Sequence, residues 1–237
     1  MDFSTLLISK RKLNDSLATF TLAKPATFNF TAGQFILISF DPNFKNAHPF
    51  SISSCPQDPG LEISVRKLGD FTQKLHATEI NCPFWVKGPF GAFVLHEEKN
   101  VVMIAGGVGI TPFLSMIRDE CKRGLQRDLT LLLSVRELAD VLEKETFDEL
   151  QKNNSNLHII YLPNQSPSPD WTGPFGIIDQ NFLAKQFPSF TDKVFYLCGP
   201  PPMVAAIKQA FANLGLNPEL IRVDSWEFAK KVVEENS

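Results

Sequence analysis

The chain has 237 residues, 43% hydrophobic and 21% charged, which is the composition of a folded globular protein with room for two compact domains or one large one. Its net charge of −3 speaks against a general nucleic-acid binder. Cys55, Cys82, Cys121 and Cys198 stand far apart, without the spacing of a zinc site or an iron–sulfur cluster, so no metal is expected and a reduced, cytoplasmic chain is.

The N-terminal stretch MDFSTLLISKRKL carries charge on both sides of a short apolar run, which is not a signal-peptide layout. Short β-rich runs follow at residues 5–9, 18–22, 35–40, 50–53, 61–67 and 84–87. Turn signals at Ala32-Gly33, Asp41-Pro42 and Asp58-Pro59-Gly60 separate them. One helix is expected near 71–77. This rhythm predicts a small antiparallel β-barrel over residues 1–97. The 21 Phe against two Tyr suggest a Phe-rich core.

From Asn100 the rhythm changes. Strands at 101–105, 129–135, 157–161 and 194–197 alternate with helices at 111–122, 143–152 and 179–186 and a last helix ending near Gly215. Asp179 reads as an N-cap. Such alternation over residues 98–237 predicts an α/β doubly wound parallel sheet, which binds ligands at the carboxyl ends of its strands. The longest apolar region, 101–117, is broken by Gly106-Gly107 and Thr111-Pro112, so no membrane span is expected. The segment 163–176, PNQSPSPDWTGPFG, reads as an ordered surface loop.

The run VVMIAGGVGITP, Val101 to Pro112, is a buried strand emptying into a glycine turn, with Pro112 placed to open a helix. Glycines there let backbone approach a ligand, and the N–H groups of the next helix suit a phosphate. A bare strand–helix turn is the competing reading. A second turn, Cys198-Gly199-Pro200, also ends a strand.

Four segments occur in a telling order. They are His48-Pro49-Phe50-Ser51, Gly69-Asp70-Phe71-Thr72, Gly106-Gly107-Val108-Gly109-Ile110-Thr111-Pro112 and Cys198-Gly199-Pro200-Pro201-Pro202-Met203. In that order, over nearly the whole chain, they resemble the ferredoxin–NADP reductase superfamily. The resemblance implies a flavin-binding barrel followed by a pyridine-nucleotide domain. Its cofactors would be FAD and NAD(P)H. A hydride would pass from NAD(P)H to FAD, and electrons would leave to an acceptor on a separate molecule.

Carried over residue by residue, the resemblance lays Phe50 against the flavin ring and puts Ser51 near N5, with Pro49 in the same cradle. Phe50 in the core and Ser51 facing out is the plainer alternative. Gly69 and Thr72 would hold the flavin phosphate, or they simply start a helix. Many members have Arg where this chain has His48, reaching the flavin phosphate, and an imidazole can still donate a hydrogen bond to it; His-Pro-Phe-Ser resembles the ferric reductase and NADPH oxidase branch. Arg66 and Lys67 could supply the missing charge, or form a solvated face. Gly106, Gly107, Gly109, Thr111, Pro112, Gly199, Pro200 and Met203 would shape the nucleotide site. Cys198 would lie beside the nicotinamide, positioning the ring without attacking it. Arg136, at the end of strand 129–135, could pair with a 2′-phosphate and favour NADPH, with Glu137 beside it as a competitor. Asp224-Ser225-Trp226-Glu227-Phe228 resembles the family's terminal acidic–aromatic signature, with Trp226 stacked near the flavin. About nine residues follow Phe228, where many relatives stop. The expected catalytic set is Ser51, Cys198 and Trp226. Two further readings stand beside an oxidoreductase with a separate acceptor: a reductase releasing reduced free flavin, and a non-catalytic electron-relay subunit.

Overall fold

The structure, a computed structural model, describes residues 1–224 and 226–236, and describes only the backbone of 226–228, 235 and 236. Two compact units emerge from the contacts. One comprises Met1–Leu95, Thr111–Asp119 and the described part of 225–237; the other comprises His96–Ile110 and Glu120–Asp224.

The first unit is an antiparallel barrel. Its strands are β1 (Asp2–Lys12), β2 (Leu17–Ala23), β3 (Phe35–Ser39), β4 (His48–Ser51), β5 (Gly60–Arg66) and β6 (Pro83–Phe90), with α1 (Asp70–Ala77) between β5 and β6. The sheet runs β4-β3-β6-β1-β2-β5, and an Ile52–Ile63 bridge ties its two ends together. Alternating side chains send Leu7, Phe20, Leu22, Ile36, Ile38, Ile63, Phe84 and Val86 into one core. Each such aromatic or aliphatic side chain contributes about 1.5–3 kcal/mol by leaving water. The Phe-rich core expected from composition is present: Phe40 and Phe84 pack at 5.1 Å, and Phe3 and Phe28 at 5.1 Å.

The second unit is a five-stranded parallel sheet. Its strands are β7 (Asn100–Gly106), β8 (Asp128–Val135), β9 (Leu157–Pro163), β10 (Lys193–Cys198) and β11 (Ile221–Val223). The order is β11-β10-β7-β8-β9. Strand β7 reads as unbroken apolar sequence because it lies mid-sheet and is covered on both faces. Helices α2 (Thr111–Lys122), α3 (Lys144–Asn153), α4 (Gln180–Gln186) and α5 (Pro201–Asn213) connect the strands. Asp179 caps α4 as expected, its Oδ1 accepting from the Phe182 N–H at 2.7 Å. The chain runs from β7 towards β9 on one side and from β10 to β11 on the other. The switch point therefore falls between β7 and β10.

The first part of α2 belongs to the barrel unit. Ser115 donates to the Ser54 carbonyl at 2.6 Å, and Arg118 to the Ser53 carbonyl at 3.1 Å and to Glu62 at 2.8 Å. These bonds pin the segment that follows β4. Two elements went unread in the sequence: the three-residue β11, and a last helix, α6 (Trp226–Asn236). Among the described residues no helix is long and apolar enough to cross a membrane.

Candidate functional site

In the barrel unit, β4 carries the His-Pro-Phe-Ser segment at the sheet's edge. Register pairs Ile38 with His48, Leu37 with Pro49, Ile36 with Phe50 and Phe35 with Ser51. Alternation then puts His48 and Phe50 on the face of the barrel core, and Pro49 and Ser51 on the other. Phe50 packs only partly into the core. Phe71, in the first turn of α1, stacks on His48 with ring centroids 4.1 Å apart and on Phe50 at 5.9 Å, the planes within 30° in both cases. The result is a row of flat rings beside a helix N-terminus, Phe50 and Phe71 half-buried and His48 exposed. Burial pushes the His48 imidazole below its ordinary value of 6.5, so the ring is neutral near neutral pH.

Thr72 does not present its hydroxyl to a ligand. Its Oγ1 accepts from the Leu68 N–H at 2.8 Å and the Gly69 N–H at 3.0 Å, and donates to the Gly69 carbonyl at 2.9 Å. It closes the turn, and Gly69 is the N-cap. The first-turn N–H groups of α1 then point outward without intrahelical acceptors, as a phosphate needs. A Cβ on Gly69 would meet nothing within 4 Å. Arg66 ends β5, and Lys67 follows it with its N–H bonded to the Ser16 carbonyl at 2.7 Å. An isoalloxazine ring, a ribityl chain and phosphates thus find flat apolar surface and outward N–H groups within one unit, and the residues present fit FAD.

In the second unit the two glycine turns pack against each other at the carboxyl ends of β7 and β10, where Cys198 pairs with Ala105. A Cβ on Gly109 would lie 2.5 Å from the Cys198 carbonyl oxygen, and one on Gly106 would lie 2.6 Å from Met203 Sδ. A Cβ on Gly199 would sit 2.7 Å from Met203 Cε. Gly109 is required by backbone packing, and Gly106 and Gly199 make room for Met203, which accounts for part of the motif without any ligand. Gly107 differs: its φ is +54°, and a Cβ there would meet nothing within 4 Å. It is the glycine of this turn that faces open space. A 3-10 turn over Gly107–Ile110 leads into α2, with Thr111 and Pro112 buried. Pro201 and Pro202 open α5 after Pro200, so two of its first-turn donors are missing. The second turn shapes the site more than it binds anions.

Cys198 is 2% exposed and donates to Asp224 Oδ2 at 3.3 Å. Burial foremost, and then the Asp224 carboxyl, push this thiol well above its ordinary value. Burial also raises the Asp224 carboxyl, against the thiol's hydrogen bond. The pair is therefore a protonated thiol on a carboxyl, not a nucleophile. Arg136 lies exposed past the end of β8, its Nη2 3.1 Å from Glu137 Oε1, so the competitor foreseen beside it is engaged. An exposed pair of this kind is weak, about 0–1 kcal/mol, and leaves the guanidinium easy to recruit. The side chain of Trp226 lies outside the described residues.

Sequence reasoning missed Phe71 and Asp224 as site residues. An aromatic inside a short helix-start motif was the available signal for Phe71. Asp224 could be placed beside Cys198 only once β11 was known to pair with β10, Leu197 opposite Val223. Phe175 and Ile177, 58% and 71% exposed, also stand out: the Gly176 N–H bonds to the Pro163 carbonyl at 2.8 Å, which holds them at the carboxyl end of β9.

Comparison with known proteins agrees with a flavin-binding and a nucleotide-binding part. A family of FAD-binding domains matches residues 3–135, more than half the chain, and the oxidoreductase NAD-binding domain matches residues 103–209. NADH-cytochrome b5 reductase 1 of Cryptococcus neoformans is 30% identical over 229 residues, covering 88% of this chain and 77% of the relative. The phenol hydroxylase P5 protein of Acinetobacter pittii is 30% identical over 211 residues, and the match covers 86% of this chain but 59% of that protein. A ferredoxin NADP+ reductase from Neisseria gonorrhoeae, solved with FAD and NADP, superposes with a TM-score of 0.81 at 18% identity, over 94% of this chain and 98% of that one. The chain belongs to the ferredoxin–NADP reductase superfamily of NAD(P)H-dependent FAD oxidoreductases.

Proposed function

We propose that this chain binds FAD along β4 and the start of α1, with Phe50 and Phe71 as the stacking surface and the α1 N–H groups at the phosphates. NAD(P)H enters at the glycine turn after β7, and the electrons go to an acceptor that is a separate molecule. Residues 1–97 carry the flavin-binding surface, and the nucleotide function falls within 98–237. The observation that carries this reading is the row His48–Phe71–Phe50 beside an open helix N-terminus. FAD supplies the redox chemistry when bound. The chain's own residues orient and shield. Phe71 and Phe50 offer flat apolar surface, and Ser51 offers one hydroxyl at the edge strand. The Cys198 thiol stays protonated under the Asp224 carboxyl and provides a small, unreactive neighbour for the nicotinamide.

Arg136 favours NADPH by pairing with a 2′-phosphate after releasing Glu137. Phe175 and Ile177 offer apolar cover at the same end of the sheet. Four cysteines without disulfides support a reducing, cytoplasmic setting. The test is direct. Phe71→Ala in the apoprotein should weaken FAD binding about tenfold or more, the worth of roughly 1.4 kcal/mol of stacking. Unchanged FAD affinity would remove the row from the site. Reduced free flavin leaving the protein during turnover would favour the flavin-reductase reading instead.

A further inference from the structure

The cradle strand β4 is weakly held for a strand that carries a ligand. It has four residues, lies at the edge of its sheet, and forms its ladder with β3 alone. The loop leading into it, after β3, carries two residues in the left-handed region, Phe44 at φ 59° and Asn46 at φ 54°. Non-glycine residues adopt that backbone only where surrounding packing holds them there. Phe44 is 6% exposed, and the packing that holds it is identifiable.

Helix α6 supplies it. Ala229 and Val232 are buried, and with Val233 they form an i, i+3, i+4 stripe, while Lys230 and Lys231 face outward. The stripe joins Phe35, Leu37, Phe44 and Ala47 in a satellite core separate from the barrel interior, with Trp85 and Phe90 at its rim. Phe35 and Leu37 are the register partners of Ser51 and Pro49. The helix therefore covers the outer face of the β3–β4 hairpin, opposite the face that bears His48 and Phe50, and it packs beside β4 itself. These contacts lie within one compact unit.

We propose that α6 is a positioning element for the flavin cradle: by filling the outer face of the β3–β4 hairpin it holds the edge strand and its left-handed loop in the conformation that binds FAD. The inference rests on the reading of β4 as the cradle. It assigns the residues after Phe228 a role in cofactor affinity.

The test compares Val232→Asp, Val232→Ile and Phe50→Ala with the unaltered full chain. Readouts are the FAD dissociation constant of the apoprotein, the circular dichroism of bound flavin in the visible range, and NADP+ binding to the apoprotein, which reports on the second unit. Val232→Asp should raise the FAD dissociation constant about tenfold or more and alter the flavin dichroism, with NADP+ binding kept. A buried carboxylate in an apolar cluster is costly enough to lift the helix. Val232→Ile should restore both readouts. Wild-type FAD affinity and dichroism in Val232→Asp would overturn the proposal and leave α6 a stability clamp. If Val232→Asp fails to fold, the milder pair Val232→Ala and Val233→Ser should each weaken FAD binding about threefold, and unchanged affinity in both would overturn it equally. Phe50→Ala separates the two readings: if it leaves FAD affinity unchanged, β4 is not the cradle and this inference falls with that reading. If Phe50→Ala weakens FAD while the α6 variants do not, only the inference falls.

Discussion

At the scale of residues, His48 sets the most specific expectation. Its imidazole is held below the ordinary 6.5 because the Phe71 ring and its surroundings desolvate it. His76, whose Nε2 meets the Val65 carbonyl at 3.0 Å, is lowered for the same leading reason. In the apoprotein a depressed folded-state value means stability is fully present above about 6.5 and lost as pH falls through the folded value. A bound phosphate reverses the preference, because it favours the imidazolium. FAD affinity should therefore rise as pH falls from about 8 to 5 while apoprotein stability declines over the same range. Titrating FAD into wild type and His48→Gln checks this. A pH-independent dissociation constant in the wild type would take His48 away from the phosphate. Ser51 belongs at this scale too. Ser51→Ala should slow single-turnover bleaching of the FAD-loaded protein about tenfold with FAD still bound, the loss of one hydrogen bond worth roughly 1.4 kcal/mol that matters most in the transition state. An unchanged rate would remove the hydroxyl from the chemistry. Cys198, buried and bonded to Asp224, should resist iodoacetamide in the native protein and react on unfolding. Rapid native alkylation, located by mass spectrometry, would contradict the protonated pair.

At the scale of elements, the glycine turn after β7 divides into packing and site. Gly109→Ala puts a methyl 2.5 Å from a carbonyl oxygen of the facing turn. Backbone must shift, at a cost of about 1–3 kcal/mol, and thermal unfolding of the apoprotein should show a lowered midpoint. Gly107→Ala meets open space, and its cost of about 1 kcal/mol comes from the left-handed backbone alone. Its main effect should be on KM for the nicotinamide. Equal effects on midpoint and KM in the two variants would erase the distinction. The elements themselves show what the sequence could yield. Strand β7 was legible because a mid-sheet parallel strand is apolar throughout, and β4 because His48 to Ser51 match a known motif. Motif spacing could not separate Gly109, needed by Cys198, from Gly107, open to solvent, since both are glycines in one turn. Strand β11 has three residues, too few for a periodic signal, and so Asp224 could not be set beside Cys198. Helix α6 was hidden because the aromatic signature overlapping its start suggested an ending, although Ala229, Val232 and Val233 already carried a helical stripe.

At the scale of the whole molecule, a barrel with the proposed FAD face and a parallel sheet with the proposed nucleotide turn are joined in one chain. Fold and family were legible because four motifs in fixed order constrain both. The acceptor was not, because it leaves no motif in a chain whose recognisable sites are already taken by FAD and the nucleotide. With NAD(P)H and ferricyanide the FAD-loaded protein should turn over. Added free FAD or FMN should raise that rate only if reduced flavin is the product. The central claim, that hydride passes from NAD(P)H to FAD held on this chain, has one most direct measurement: rapid anaerobic mixing of the FAD-loaded protein with NADPH and, separately, NADH. The account predicts that the yellow band near about 450 nm bleaches in a single turnover with at least one of them, faster with NADPH. A band that persists with both, in protein shown to hold FAD, would contradict it.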